Sequence, residues 1–117
     1  CVIFAGMQKN TQEYLSAMDV FVFPSLWEGL PLAMIEAQAS GIYCLASDCI
    51  DSEVNVSGEV YMLPINQGVQ PWINQLEQRD SYDRNKVSKK RIKKMQEANY
   101  DIKANAKELK TLYFVDK

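Results

Sequence analysis

Two carboxylates with seven residues between them, Glu28 and Glu36, are the groups in this chain best placed to do chemistry. Ahead of them Asp19-Val20-Phe21-Val22-Phe23-Pro24-Ser25 reads as a buried strand that ends in a loop. Behind Glu36, Ala37-Gln38-Ala39-Ser40-Gly41 reads as a helix with a glycine stop. Glu28 therefore falls in the loop at the carboxyl end of a strand, and Glu36 about one and a half turns into the helix that follows. Acids so placed face the crevice in which open α/β sheets bind ligands. The amides at the start of that helix, near Gly29 and Leu30, have no intrahelical partner and suit an anion such as phosphate. Carboxylates accept hydrogen bonds from hydroxyls. Phosphate-binding amides beside hydroxyl-binding carboxylates suit a nucleotide sugar.

Other residues carry weaker signals. Asp48, after Ser47, ends a further strand and either caps the next element or lies near a ligand; Glu53 is a turn stabiliser or a ligand neighbour. Trp27 is either a core residue or a wall of a sugar pocket, and the sequence leaves both open. Histidine is absent, which excludes a Ser-His-Asp or Cys-His unit and any histidine metal site within these residues. The three cysteines, Cys1, Cys44 and Cys49, form no CxxC pair and read as reduced thiols of a cytoplasmic protein, with Cys44 packed in a strand. Lys86, Lys89, Lys90, Arg91, Lys93 and Lys94 form the outer face of a helix whose core stripe is Val87, Ile92 and Met95. Solvation accounts for such a face; attraction to an anionic membrane surface or a lipid-phosphate acceptor is the sharper reading.

The elements that must position these groups follow from the rest of the chain. Its 117 residues make one domain able to bury a core, and 47% apolar with 24% charged content is globular. A net charge of −2 gives no electrostatic case for nucleic acid, and the apolar runs Val20 to Phe23 and Ile42 to Ala46 are too short to span a bilayer. No secretory signal opens the chain. Cys1 passes at once into Val2-Ile3-Phe4-Ala5 without a start methionine, so the expectation is a piece of a longer polypeptide.

Strands and helices alternate, which predicts an α/β domain: a Rossmann-like parallel sheet with helices on both faces. Val2 to Ala5 is the first strand, closed by Gly6. Asn10 caps a helix to about Met18 with Glu13 reaching back, and Tyr14, Leu15 and Met18 share a face. Val20 to Phe23 is a central strand covered on both sides. Pro31 takes the first position of the next helix, with Leu32, Ile35 and Ala39 facing the core and Gly41 in the left-handed stop. Ile42 to Ala46 and Val60 to Leu63 are further strands. A helix from about Gln70 has Pro71 in its first turn and Trp72, Ile73 and Leu76 facing in. Asp80 or Ser81 caps a long basic helix to about Ala98, and Asp101 caps the last, with Ile102, Ala106, Leu109 and Leu112/Tyr113 at helical spacing.

At this point the motifs resemble the carboxyl-terminal domain of glycosyltransferase family 4. The resemblance rests on Val2 to Gly6, Tyr14-Leu15 with Met18 to Ser25, Glu28-Gly29-Leu30-Pro31, and Ile35-Glu36-Ala37 with Ala39 and Gly41. Ala46-Ser47-Asp48 with Ile50, Glu53 and Val54, and the closing stretch from Tyr100-Asp101-Ile102, are similar to bacterial members that build capsular and exopolysaccharides. The resemblance implies one half of a two-domain GT-B fold, residues 1–117 being the sugar-nucleotide-binding half, with final helices over about 80–117 and the acceptor domain lying elsewhere. It implies that Glu28 holds hydroxyls of the transferred sugar as the catalytic residue and that Glu36 holds the ribose. Gly29, Leu30, Pro31, Gly6 and Ser25 complete the donor-binding set. The donor is a nucleotide sugar, by default a UDP-sugar, and the acceptor a glycan or lipid-linked sugar. The family retains anomeric configuration and uses basic side chains rather than a metal or cofactor; its Arg and Lys on the diphosphate belong to a segment before residue 1. The implied location is cytoplasmic, with peripheral membrane association of the parent.

Two rival functions stand beside this. One is a binding module without chemistry, against which intact Glu28 and Glu36 weigh. The other is half of a sugar-nucleotide epimerase of similar fold, an enzyme type that depends on histidine.

Overall fold

Three parallel strands form the sheet: β1 (Val20–Phe23), β2 (Tyr43–Ser47) and β3 (Val60–Leu63), in the order β1-β2-β3. The computed structural model describes residues 1–114, the side chains of residues 80 and 81 excepted. Val20 pairs with Tyr43 and Cys44 with Val60, so the strands run in step. Parallel neighbours need a long crossover, and α2 (Leu32–Ala39) supplies the one between β1 and β2. The remaining helices are α1 (Thr11–Ala17), α3 (Gln70–Glu77), α4 (Arg84–Glu97) and α5 (Ile102–Tyr113), with 3-10 turns at Ser52–Val54 and Gln78–Ser81.

Successive side chains of β2 point to opposite faces. Cys44 and Ala46 join one core with Leu15, Met34, Ile35, Ala37 and Met95, which brings α1, α2 and α4 together. On the other face the Tyr43 hydroxyl accepts from Gln75 Nε2 at 2.7 Å, docking α3. The expected α/β sheet with helices on both faces is thus present.

Its centre differs from the expectation. β2 is the central strand, with all five residues buried, whereas β1 pairs on one side only among the described residues and leaves Val22 46% exposed. Val2 to Ala5 is not a strand: Phe4 is 95% exposed and no ladder joins these residues to β1. A strand is held by a partner's N–H and C=O groups, and a run of apolar residues without that partner stays irregular.

Helix faces shift for similar reasons. Pro31 is the residue before α2 rather than its first position, with φ −73° and ψ 99°. Met34, Ile35, Ala37 and Gln38 face inward while Leu32, expected on the core face, is exposed. Buried Gln38 is satisfied by Val54 O at 2.8 Å and by the Ser57 amide at 3.0 Å, so it ties α2 to the turn that precedes β3. Gly41 stops α2 at φ +72°, as the sequence requires. In α3, Pro71 lies in the first turn and Trp72 is half-buried with Nε1 on Pro64 O at 3.0 Å, but Ile73 is exposed.

The basic helix departs most. Asp83, not Asp80 or Ser81, caps α4 by accepting from the Asn85 and Lys86 amides. Arg91, expected among solvated lysines, is fully buried, and Ile92, expected in the core stripe, is 43% exposed. Arg84 donates to Leu15 O, Met18 O and Ser40 O, closing the carboxyl ends of α1 and α2 together. Asn10 makes no capping bond to the backbone; its Nδ2 donates to Glu13 Oε2 at 2.6 Å, since its φ of −106° and ψ of 49° turn the side chain away. Asp101 does cap α5, through the Lys103 and Ala104 amides, and the apolar residues of α5 remain exposed. The last residues of the expected 80–117 helical region, 115–117, lie outside the described residues.

Candidate functional site

β1 stops at Phe23, and the loop to Pro31 stands at the carboxyl end of the sheet. Pro24 ends the ladder because it has no N–H to give. Ser25 then turns back on the loop: its hydroxyl lies 2.9 Å from Glu28 Oε1 and 3.3 Å from Trp27 O. One hydroxyl donates one hydrogen at a time, and the shorter contact to the charged oxygen is the stronger. Ser25 thereby fixes the Glu28 carboxylate and leaves its second oxygen free to accept. The Gly29 and Leu30 amides have no hydrogen-bond partner among the described residues, so the approach to α2 offers donors beside an acceptor.

Glu28, Gly29 and Leu30 line a cavity of about 340 Å³ together with Asp51, Glu53, Val54 and Tyr100. Glu36 lines a different one, about 240 Å³, walled by Gly6, Tyr14, Met18, Phe21 and Ala33. The two acids, expected in one crevice, line neighbouring cavities at the start of α2, with Leu30 in the first and Ala33 in the second. A helix turns its side chains through about 100° per residue, and Glu36 leaves α2 on the flank facing α1. The two cavities differ in kind. The Glu36 side is mostly apolar, and the Glu28 side gathers three carboxylates.

The remaining candidates separate cleanly. Gly6, at φ +64°, and Glu36 meet in the same cavity. Pro31 is buried and sets the entry to α2. Asp48 is exposed and lines neither cavity, while Glu53 lies across from Glu28. Asp51, which the sequence did not single out, caps the 3-10 turn by accepting from the Glu53 amide at 2.9 Å. Tyr100 comes from the α4–α5 connection, far along the chain, and nothing local in the sequence marks it. Trp27 is 86% exposed, which removes the core reading left open above. Among the described residues no group of three or more histidine, cysteine or acidic side chains is arranged to hold a metal ion. No helix among them is long and apolar enough to cross a membrane.

Away from these cavities, at the amino end of the sheet, Arg91 donates to Ile42 O at 2.6 Å and to Glu59 Oε2 at 3.0 Å, with its guanidinium 5.5 Å from the Tyr82 ring centroid. Burial pushes the Tyr82 hydroxyl up to about 12 and the Cys44 thiol up to about 11, in each case against the opposing pull of the Arg91 charge. These groups hold the fold and stand apart from the loop of Glu28.

Residues 1–78 match the family described as Glycosyl transferases group 1. EpsF of Bacillus subtilis, which carries a glycosyltransferase name, is 42% identical over 72 residues, covering 61% of this chain and 19% of its own length. A UDP-Gal:alpha-D-GlcNAc-diphosphoundecaprenol alpha-1,3-galactosyltransferase of Escherichia coli is 36% identical over 77 residues, 64% of this chain and 20% of its own. An N,N'-diacetylbacillosaminyl-diphospho-undecaprenol alpha-1,3-N-acetylgalactosaminyltransferase of Campylobacter jejuni is 40% identical over 48 residues, 41% of this chain and 13% of its own. The chain spans about a fifth of the length of the first two of these relatives. No solved structure matches it. With both acids, the Gly-Leu-Pro turn and all three strands inside the matched region, the chain belongs to the Glycosyl transferases group 1 family.

Proposed function

We propose that this chain is the donor-binding half of a retaining glycosyltransferase that moves a sugar from a UDP-sugar to a lipid-linked or growing glycan acceptor. The observation that carries the reading is the pair of unpartnered amides at Gly29 and Leu30, which line the Glu28 cavity at the approach to the helix that bears Glu36. A nucleotide sugar has three chemically distinct parts, and the three features fit them in order. The apolar cavity of Tyr14, Met18 and Phe21 takes the base, and Glu36 on its edge takes the ribose hydroxyls. The amides take the diphosphate. Glu28, steadied by Ser25, takes hydroxyls of the sugar and so orients the reacting carbon as the catalytic residue.

A diphosphate at these amides would also face Asp51 and Glu53, so the charge that stabilises it on departure comes from cations outside these residues. That accords with the resemblance, which places a basic pair ahead of residue 1 and predicts transfer that survives chelation of divalent metal. The Escherichia coli and Campylobacter jejuni relatives are named for undecaprenyl-diphosphate-linked acceptors, which supports the same acceptor class here; a place on the cytoplasmic side of a membrane is part of the same proposal.

The test is an NMR titration of the chain with UDP. Shifts at Gly6, Gly29, Leu30 and Glu36, with affinity near the millimolar range, or about −4 kcal/mol, are expected for amide and hydroxyl contacts without a basic clamp. Shifts confined to α3, α4 and α5 would overturn the assignment.

A further inference from the structure

We propose that Trp27 is a sugar-stacking residue, offering its indole to the apolar C–H face of a pyranose whose hydroxyls Glu28 holds. The inference rests on the donor-site reading above and adds to it a determinant of sugar specificity.

Tryptophan is highly buried on average, and the other one in this chain conforms: Trp72 is half-buried with its N–H satisfied by Pro64 O. Trp27 is 86% exposed on the residue directly before Glu28. Its exposure is not that of a loose tail. The Ser25 hydroxyl lies within reach of both Trp27 O at 3.3 Å and Glu28 Oε1 at 2.9 Å, so its one hydrogen ties the loop back at Trp27 and Glu28. Leu26 and Leu30, 70% and 49% exposed, are further apolar residues of the same loop. A pyranose is amphipathic in the matching sense, with C–H bonds on its faces and hydroxyls at its rim. An aromatic ring meets the face through its negative π surface, and a carboxylate accepts from the rim. Trp27 and Glu28 place these two kinds of contact on adjacent residues.

The pyranose belongs either to the donor or to the acceptor, and two ligand series distinguish them. Wild type, Trp27→Phe and Trp27→Ala are titrated with UDP, UDP-galactose and methyl α-galactoside. UDP should bind all three alike, since Trp27 lines neither of the two cavities and would meet only a ring held by Glu28 at their margin. If the sugar is the donor's, the gain of UDP-galactose over UDP falls about three- to tenfold in Trp27→Ala, the size of one aromatic contact, and Trp27→Phe keeps most of it. If it is the acceptor's, the loss appears in the methyl galactoside series instead. Either pattern supports the proposal. Sugar binding in both series unchanged in Trp27→Ala overturns it. Failure of UDP itself to bind wild type overturns the donor-site reading, and the proposal falls with it, by a result that no Trp27 variant is needed to see.

Discussion

Arg91 Nε lies 3.0 Å from Glu59 Oε2, and the same guanidinium donates to the Ile42 and Glu59 carbonyls, so one fully buried cation clamps α4 onto the amino ends of β2 and β3. The residue anticipated as part of a solvated charge run is the polar keystone of the fold. Each of its three nitrogens donates, and Lys90 at 2.8 Å shares the Glu59 carboxylate from the surface. Removing the guanidinium leaves the Ile42 carbonyl only a long 3.4 Å contact from the Tyr82 hydroxyl and opens a cavity. Arg91→Ala should cost about 3 kcal/mol in urea unfolding, and Glu59→Gln about 1 kcal/mol because that side chain can still accept. Both variants within about 0.5 kcal/mol of wild type would show that the clamp is incidental.

Acid should loosen this clamp. Burial raises the Glu59 carboxyl, but hydrogen bonds and charges from Lys90 and Arg91 outweigh it and leave the group below its ordinary 4.5. Asp101 is lowered as well, chiefly by the Ala104 and Lys103 amides of its cap. A carboxyl depressed in the folded state stabilises above its unfolded pKa and loses that contribution as pH falls through the folded one. Urea midpoints should therefore be level in this respect above about pH 4.5 and fall below it. In Glu59→Gln the fall should be shallower, which a midpoint series from pH 6 to pH 3 measures.

Much of this architecture could be read from residue order. The strand Val60 to Leu63, the stop at Gly41 and the Asp101 cap came directly from local patterns, because each depends on residues within a turn or two. What the pattern could not reveal depends on partners distant in sequence. Arg91 looks like its lysine neighbours until Glu59, 32 residues away, is folded against it. Val2 to Ala5 carries strand composition but gains no ladder. Glu28 and Glu36 were legible as a pair, yet their separation into two cavities follows from the direction in which α2 points its side chains, and Tyr100 joins the Glu28 cavity only through the path of α4.

Gly41 should tolerate no side chain. At φ +72° any L residue is strained, and a Cβ there would meet Ser88 Cβ at 2.8 Å and Arg84 O at 3.3 Å. The strain alone is about 1–2 kcal/mol and the overlap about as much again. Gly41→Ala should lower unfolding free energy by about 2–4 kcal/mol. A loss below about 0.5 kcal/mol would mean that α4 does not pack against this stop.

Cys44 should be inert in the folded chain. The thiolate is the reactive form, and burial holds the thiol at about 11 despite the nearby Arg91 charge. Cys1 and Cys49 are exposed. Iodoacetamide at pH 8 followed by mass spectrometry should find label at Cys1 and Cys49 under native conditions and at all three cysteines in denaturant. Rapid native labelling of Cys44 would contradict the packing of β2 against α4.

The separation of the two acids makes a kinetic prediction for the whole polypeptide that carries this chain. Glu36 edges the apolar cavity, where the reading above seats the nucleoside, so its hydrogen bonds are the same in ground and transition states. Losing such an interaction raises KM with little change in kcat. A hydrogen bond to a charged group is worth roughly 1.5–3 kcal/mol, so Glu36→Ala should weaken donor binding about ten- to hundredfold. Glu28 holds the sugar that reacts, and misplacing that centre affects the barrier itself. Glu28→Ala should therefore depress kcat more than it raises KM. Ser25→Ala, which only frees the Glu28 carboxylate from its 2.9 Å contact, should lower kcat in the same direction by a smaller factor and leave UDP affinity intact. Initial rates across donor concentration separate these outcomes. Wild-type kinetics in both Glu→Ala variants would remove the site from the loop after β1, and a pure KM effect at Glu28 would leave it there as a binding group without a role in orienting the reaction.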